Sequence, residues 1–192
     1  MDQKLKDIPQ SLVVLDESLP THFTVRFLEL VGGEYPQVQV IRSESHLGDI
    51  IDDNCYEDDG YRYHDIFHYT FATLLDWSPC ARSMMKRKRK SAPELDRIED
   101  GARATITEEA ISLMLFNEAK DNEYFEYTEK IDDRILDIIV GMTRGFEGCK
   151  ITKLEWEKAI LKAYEIFRQL IRNRGGIVTF DAIEKMVQYA AP

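Results

Sequence analysis

The sequence predicts a mainly α-helical single domain that carries a small β-hairpin near its N-terminus. Apolar residues recur at helical spacing through most of the chain after residue 60, whereas the strand-like alternation of apolar and polar residues is concentrated in two segments before residue 48. We therefore expect one domain over 1–192, in which 1–48 holds the hairpin and 49–192 forms a helical body. A chain of 192 residues is long enough to bury a core.

The hairpin is the first predicted element. The segments HFTVRFLEL at 22–30 and YPQVQVIR at 35–42 alternate apolar and polar residues on either side of Gly32-Gly33. Glycines between two alternating runs favour a turn, so we expect the runs to pair as antiparallel strands.

Five helices are predicted after the hairpin, from apolar spacing and from residues that begin or end helices, such as Ser78-Pro79. We place them at 61–77, 79–88, 104–120, 131–142 and 156–171. Gly175-Gly176 is expected to end the last helix. The remaining segment, IVTFDAIEKMVQYA, is expected to form a brief strand and then a helix that begins near Asp181.

Composition restricts the classes of function. The formal net charge of −10 and the pI near 4.9 disfavour general nucleic-acid binding, because phosphate backbones require a basic face. Three widely separated cysteines without CxxC spacing argue against a disulfide framework. The first ten residues lack a signal-peptide core, and no apolar run approaches the roughly 20 residues of a membrane helix. We therefore expect a cytoplasmic protein that binds neither membranes nor nucleic acid.

The most distinctive stretch is GDIIDDNCYEDDGYRYHDIFH at 48–68. It carries seven carboxylates from Asp49 to Asp65, and its basic side chains are Arg62 and two histidines. Like charges at this density repel one another unless positive charge lies among them, and Mg²⁺ binds through several carboxylate oxygens. The stretch therefore predicts a divalent-metal site.

Asp65 is the preferred ligand within that stretch. On a helix from Tyr61, His64 and His68 lie four residues apart and project from the same face, with Asp65 beside them. A carboxylate among aromatic neighbours is usually paired or metal-bound when it is buried. The alternative is that the apolar side of this helix forms the core and that hydrogen bonds satisfy both histidines.

A second acidic pair, Glu108-Glu109, interrupts the apolar helix ATITEEAISLMLF. Because successive helical residues point about 100° apart, we expect only one of the two carboxylates to face an interior site. We choose Glu109, with Ser112 one turn further on. The alternative is a solvated first turn in which acids favour the helix dipole, and this suits Glu108 better.

The run KRKRKS at 86–91 is the basic block of this acidic protein. Such runs often form a solvated surface. Alternatively, Lys86, Lys88 and Arg89 neutralise a triphosphate that rests against the acidic metal site.

Recognition of a base has further candidates. Tyr61 and Trp77 offer aromatic faces for stacking, although buried tryptophans more often belong to the core. Asn54 either reads a base edge or caps a turn. His64 and His68 are also candidates for contacting the substrate.

Together these segments resemble a known family. The succession GDIIDDNCYEDDGYRYHDIFHYTFATLLDWSP, KRKRKS, EDGARATITEEAIS and WEKAILKAYEIFRQLIRNRGG, within 48–176, is similar to the C-terminal domain associated with MazG-type nucleotide pyrophosphohydrolases. The resemblance implies an all-α NTP-pyrophosphatase-like fold and cleavage of a (d)NTP to (d)NMP and pyrophosphate. It also implies Mg²⁺, or Mn²⁺ in its place, held by acids with ExxE and ExxD spacing on two helices.

The metal ligands of that family carry over onto Asp65 and onto one or both of Glu108 and Glu109. Neither the ExxE nor the ExxD spacing is intact around these residues. The remaining ligands are therefore sought among the acids of the preceding loop: Asp53, Asp58 or Asp59.

The resemblance also implies roles in catalysis. Glu109 accepts a proton from the attacking water, and Lys88 or Arg89 steadies the leaving pyrophosphate. A non-catalytic module that senses nucleotides or holds protein partners remains an alternative. We also expect a homodimer or higher homo-oligomer, for which the apolar stripe at 156–171 offers a surface.

A rival enzyme hypothesis starts from histidine. His46, the pair His64-Asp65, and Asp96 or Asp100 follow the H…HD…D order of HD-type metal phosphohydrolases. Sites rich in histidine favour transition metals over Mg²⁺, so the two hypotheses differ in the preferred ion.

Overall fold

The structure is a computed structural model that describes residues 16–192. The expectation that the first ten residues carry no signal peptide concerns residues outside this range. The strands are β1 (His22–Leu30), β2 (Gln37–Arg42), β3 (Ser45–Asp52), β4 (Gly175–Asp181) and β5 (Met186–Ala190). The helices are α1 (Asp65–Leu75), α2 (Pro79–Met84), α3 (Pro93–Ile98), α4 (Ala102–Lys120), α5 (Asp133–Thr143) and α6 (Lys153–Asn173).

The fold class predicted from the sequence is wrong. All five strands join one antiparallel sheet in the order β3-β2-β1-β4-β5. The protein is therefore not an all-α domain with a small hairpin, because helices pack on a full sheet that is built from segments on both sides of the helical region.

The predicted pairing of β1 with β2 is confirmed. Phe23, Val25 and Phe27 of β1 alternate with exposed residues and are buried. This is the period-two pattern that a strand with one face on the core requires.

The strands that the sequence did not reveal lie at the edges of the sheet. In β3 the buried apolar residue is Leu47, and the strand also carries the acids Asp49 and Asp52. The helix expected from Asp181 is wrong, since Asp181 ends β4 and its carboxylate accepts hydrogen bonds from the backbone of Ile183 and Glu184 in a turn that leads into β5. Edge strands bury little, so their apolar periodicity is weak.

The role predicted for Gly175-Gly176 is also wrong. Helix α6 ends at Asn173, Arg174 takes the left-handed conformation, and both glycines begin β4. Gly175 has φ +122°, and a Cβ there would overlap the Phe27 carbonyl oxygen on β1. The glycine therefore permits the close approach of β4 to β1.

Substituting Gly175 tests this close approach. We expect Gly175→Ala to lower the free energy of unfolding by more than about 1 kcal/mol, because the new Cβ meets backbone at a strained φ. The matched control is Gly141→Ala on α5, where a Cβ meets open space; it should raise stability by about 0.5–1 kcal/mol. Urea unfolding measures both, and equal effects of the two changes would contradict the assignment.

The core lies between the sheet and α1 and α6. The apolar stripe of α6, including Trp156, Ala163 and Phe167, is buried within the chain. The stripe is therefore used inside this chain and is not the surface for homodimer formation that the sequence suggested. No helix in the described part of the chain is long and apolar enough to cross a membrane.

The ends of two helices position the polar residues discussed below. The predicted helix at 61–77 is a 3-10 turn at Tyr61–Tyr63 followed by α1, with His64 as the N-cap. Ser78 caps α2 as predicted, because its Oγ accepts a hydrogen bond from the Ala81 backbone. Helix α4 runs beside the start of α2 and presents Glu108 and Glu109.

Candidate functional site

Helices α1 and α4 meet at a buried hydrogen-bond network centred on Glu108. Its Oε1 lies 2.8 Å from His68 Nδ1 and accepts a hydrogen bond of 2.6 Å from Ser78 Oγ. Its Oε2 accepts a bond of 2.8 Å from the Cys80 backbone N–H. Three bonds compensate the cost of burying this carboxylate. Glu108 therefore fixes the ring of His68, and both of its oxygens are occupied.

Four side chains beside this network form what we call the His-Asp-Glu cluster: His64, Asp65, His68 and Glu109. His64 Nε2 lies 3.7 Å from Asp65 Oδ1 and 4.0 Å from Glu109 Oε2. His68 Nε2 lies 3.4 Å from Glu109 Oε1. Donor atoms of His64, Asp65 and His68 all lie within 4.8 Å of one another. Groups able to bind a metal thus converge from α4 and from the start of α1.

Two buried polar atoms of the cluster lack a hydrogen-bond partner in the described part of the chain. They are Asp65 Oδ2 and His68 Nε2. Each such atom costs about 1–3 kcal/mol when it is left unsatisfied. Two unsatisfied buried atoms on neighbouring metal-binding side chains make the cluster the candidate site.

The cluster reaches solvent on the side of Glu109, whose side chain is 44% exposed. The partly exposed Tyr61 ring stacks on His64 with centroids 4.2 Å apart. Strand β3 borders the opposite side, since a Cβ added at Gly48 would lie 3.5 Å from Asp65 Oδ2 and 3.3 Å from Met84 Sδ at the end of α2. The cluster is therefore open to solvent beside Glu109 and Tyr61.

Burial and neighbouring charges shift the pKa values of the cluster. Burial raises the pKa of Asp65 and lowers that of His64. Burial is the largest single influence on the pKa of His68 and lowers it, but the charges of and hydrogen bonds to Glu108 and Cys80 together raise that pKa well above its ordinary value. Burial raises the pKa of Glu109. The hydrogen bond and charge of His68, together with the charge of His64, lower it by more, so that the pKa of Glu109 falls to about 2. Without a cation, positive charge on His68 balances the carboxylates.

The acidic loop before the cluster is organised by Arg62. Its Nη1 donates hydrogen bonds of 2.6 Å to Asp53 and to Asp58, and its Nη2 lies 3.4 Å from Glu29. The side chains of Arg62 and Asp53 are only 7% and 8% exposed. The structure thus places the predicted ligands Asp53 and Asp58 on Arg62 and not in the cluster, and an arginine offsets the repulsion that suggested a metal in this loop.

The basic run divides between two environments. Arg89 pairs with the buried Asp100 and with Glu147, each at 2.8 Å, and is therefore committed to holding the α2–α3 connection. Lys86 and Lys88 line a cavity of about 350 Å³ together with Asp16 and Glu17.

The three residues proposed to recognise a base lie in different parts of the structure. Asn54 is exposed and bonds to Asp52 within a turn, in line with its capping alternative. Trp77 is buried and packs edge-on against Trp156, with the ring centroids 5.9 Å apart, so it belongs to the core. Tyr61 is the predicted aromatic residue that lies at the cluster.

The H…HD…D set of the rival hypothesis is not brought together. His46 is exposed on β3 and lies 2.9 Å from Gln39 Nε2 through its Nδ1. Asp100 is paired with Arg89, and Asp96 lies on α3. Of that set, His64-Asp65 belongs to the cluster.

Sequence reasoning missed two contributors to the site, Ser78 and Cys80. Ser78 was recognised only as a cap, yet it also donates to Glu108. The buried Cys80 thiol lies 3.5 Å from Glu109 Oε1. The signal that could have found them is the Ser-Pro-Cys start of α2, since exposed N–H groups at a helix N-terminus favour a carboxylate.

Comparison with known proteins identifies one family. A family model described as the MazG C-terminal domain matches residues 10–192. Searches of curated proteins and of solved structures found no match.

Proposed function

The chain belongs to the MazG C-terminal domain family, and on that premise we propose that it is a metal-dependent nucleotide pyrophosphohydrolase. It hydrolyses a (d)NTP to the (d)NMP and pyrophosphate at the His-Asp-Glu cluster. The nucleotide is its partner, and a divalent cation is its cofactor.

The observation that carries this proposal is the convergence of Asp65 and Glu109. Asp65 comes from the start of α1 and Glu109 from α4, and each lies within 4.0 Å of His64 Nε2. The resemblance implies acids on two helices that hold a metal against a triphosphate, and these two acids supply that arrangement.

The donor atoms fit a divalent cation. Among the residues from 16 onward, Asp65 Oδ2 is a buried carboxylate oxygen without a hydrogen-bond partner. Glu109 keeps its negative charge at neutral pH because its pKa is about 2. Asp53, Asp58 and Glu108 are committed to other contacts. A cation held here supplies charge neutralisation at the phosphoryl oxygens and lowers the pKa of water.

The side chains then have distinct tasks. Water attacks the α-phosphorus, a new P–O bond forms, the bond to the bridging oxygen breaks, and pyrophosphate leaves. Glu109, which reaches solvent, orients the attacking water and accepts its proton. Tyr61, beside His64, contacts the base.

The leaving pyrophosphate needs positive charge. Lys86 and Lys88 follow Met84, and both Met84 Sδ and Asp65 Oδ2 lie beside Gly48. We therefore assign binding of the pyrophosphate to these two lysines. Arg89 contributes by fixing the connection through Asp100 rather than by binding phosphate.

Product analysis tests the function. Purified protein is incubated in H₂¹⁸O with separate NTPs and dNTPs and with Mg²⁺ or Mn²⁺, and products are resolved by ion exchange and mass spectrometry. We expect pyrophosphate and a monophosphate that carries the ¹⁸O label. Orthophosphate as the product, or turnover confined to monophosphates, contradicts the proposal in favour of an HD-type activity. Thermal stabilisation by nucleotide without turnover contradicts it in favour of a nucleotide-sensing module.

A further inference from the structure

We infer that the His-Asp-Glu cluster is a mixed imidazole and carboxylate centre that selects a first-row transition-metal dication, such as Mn²⁺, Fe²⁺, Co²⁺ or Zn²⁺, over Mg²⁺. The inference rests on the proposed function, since it names the ion of the same site. Its ligands are His64 Nε2, Asp65, His68 Nε2 and Glu109.

The first argument is the state of the two imidazole rings. His64 Nδ1 lies 3.0 Å from the Tyr61 carbonyl oxygen, and His68 Nδ1 lies 2.8 Å from Glu108 Oε1. Both partners are acceptors, so each Nδ1 carries a hydrogen and donates it. Once a metal displaces any proton on Nε2, each Nε2 faces the cluster with a lone pair. Histidines that bind metals are oriented in this way, with the second nitrogen donating to a carbonyl or a carboxylate.

The second argument is the support behind His68. Glu108 also accepts from Ser78 Oγ and from the Cys80 backbone, so the carboxylate that holds the ring is itself held on both oxygens. Glu108 is therefore a positioning residue, and its burial keeps the ring in one orientation. In a histidine that only fills the core, we expect both buried nitrogens to have hydrogen-bond partners. His68 Nδ1 is firmly held, whereas its buried Nε2 has no partner among the described residues.

The third argument is distance. Bonds of about 2.1 Å place two ligands of one ion no further apart than about 4.2 Å. The separations of His64 Nε2 from Asp65 and Glu109 and of His68 Nε2 from Glu109 are 3.7, 4.0 and 3.4 Å. Donor atoms of His68 lie within 4.8 Å of donor atoms of His64 and Asp65, so one ion requires these side chains to approach by up to about 0.6 Å.

The fourth argument is donor chemistry. Mg²⁺ prefers oxygen ligands, whereas imidazole suits transition metals. The oxygen ligands that an all-carboxylate site needs are committed elsewhere, because Asp53 and Asp58 bind Arg62 and Glu108 binds His68. Two nitrogens and two carboxylates remain, and this set favours the transition metal.

Direct metal binding tests the inference without reference to turnover. The full chain is stripped with a chelator and titrated by calorimetry with Mg²⁺, Mn²⁺, Co²⁺ and Zn²⁺, and the retained metal is quantified by mass spectrometry. We expect one equivalent of a transition metal bound at least about 100-fold more tightly than Mg²⁺. His64→Asn and His68→Asn should each weaken that binding at least about 10-fold, and Glu108→Gln about 10- to 100-fold.

The control is His46→Asn, which removes an exposed imidazole on β3 and should leave the affinity unchanged. Circular dichroism checks folding, and His64→Asn serves if His68→Asn fails to fold, because the His64 side chain is less completely buried than that of His68. Mg²⁺ binding as tight as Mn²⁺ binding, no retained ion, or unchanged affinity in His64→Asn would overturn the inference. Tight transition-metal binding without nucleotide hydrolysis would instead overturn the proposed function and leave the inference standing.

Discussion

Asp65→Asn and Glu109→Gln should each lower kcat for pyrophosphate release by at least about 100-fold, as expected when a group that acts directly on the reaction is lost. Asn and Gln keep the shape of the side chain and remove the negative charge. The measurement is steady-state pyrophosphate release at saturating nucleotide and metal. Full activity in both variants would contradict the site assignment.

The matched control for Glu109 is Glu118→Gln. Glu118 lies on the same helix, is exposed, and contacts Asn122 rather than the cluster. The same chemical change at this position should leave kcat within about twofold, which is the expected behaviour of a surface site.

Stability separates a catalytic role of Asp65 from a structural one. Burial raises the pKa of Asp65 above that of the unfolded chain. The acid therefore favours folding while it is protonated, and its charge opposes folding once the pH rises through the folded pKa. Asp65→Asn removes this opposition, so at neutral pH and without metal the melting temperature should rise as activity falls. A drop in both would indicate a structural role.

The sequence predicted the centre of this site because its signal is local. Asp65 is flanked by histidines one turn apart, and Glu109 interrupts an apolar helix, so residue type and helical spacing were sufficient to single them out. The network behind them was not predictable in this way. Glu108 meets His68 and Ser78 across separate helices, and only tertiary packing shows that it is a support.

The fold was predictable in the same uneven way. Helices α4 and α6 have long apolar faces and were placed nearly to their ends. Strands β3 and β5 lie at the edges of the sheet and bury few side chains, so their periodicity is weak. The acids of β3 and the following loop led to a further prediction. Their number suggested a metal in the loop, whereas Arg62 binds Asp53 and Asp58 there.

Replacing Arg62 by Met should lower the free energy of unfolding by about 3–5 kcal/mol, because removing one partner leaves uncompensated charges in a buried network. Asp53 and Glu29 have side chains only 8% and 5% exposed, and both face the guanidinium. Arg62→Lys keeps the charge but not the fork of donors, so its loss should be intermediate. Urea unfolding measures the series.

An exposed ion pair provides the control. Arg134 pairs with Asp132 at 2.8 Å, but its side chain is 88% exposed. Arg134→Met should therefore cost no more than about 1 kcal/mol. A similarly small loss for Arg62→Met would contradict the role assigned to Arg62.

Added Mg²⁺ decides between the two explanations of the acidic loop. If Arg62 supplies the compensating charge, millimolar Mg²⁺ should leave the melting temperature of the His64→Asn variant, whose cluster binds metal more weakly, unchanged. In the Arg62→Met background, the freed carboxylates of Asp53 and Asp58 become available, and Mg²⁺ should then recover part of the lost stability by binding the folded state. Equal stabilisation in both backgrounds would mean that the loop binds a cation even while Arg62 is present. The acids of 49–65 thus fall into two groups: Asp53 and Asp58, which Arg62 binds, and Asp65, which we propose as a metal ligand.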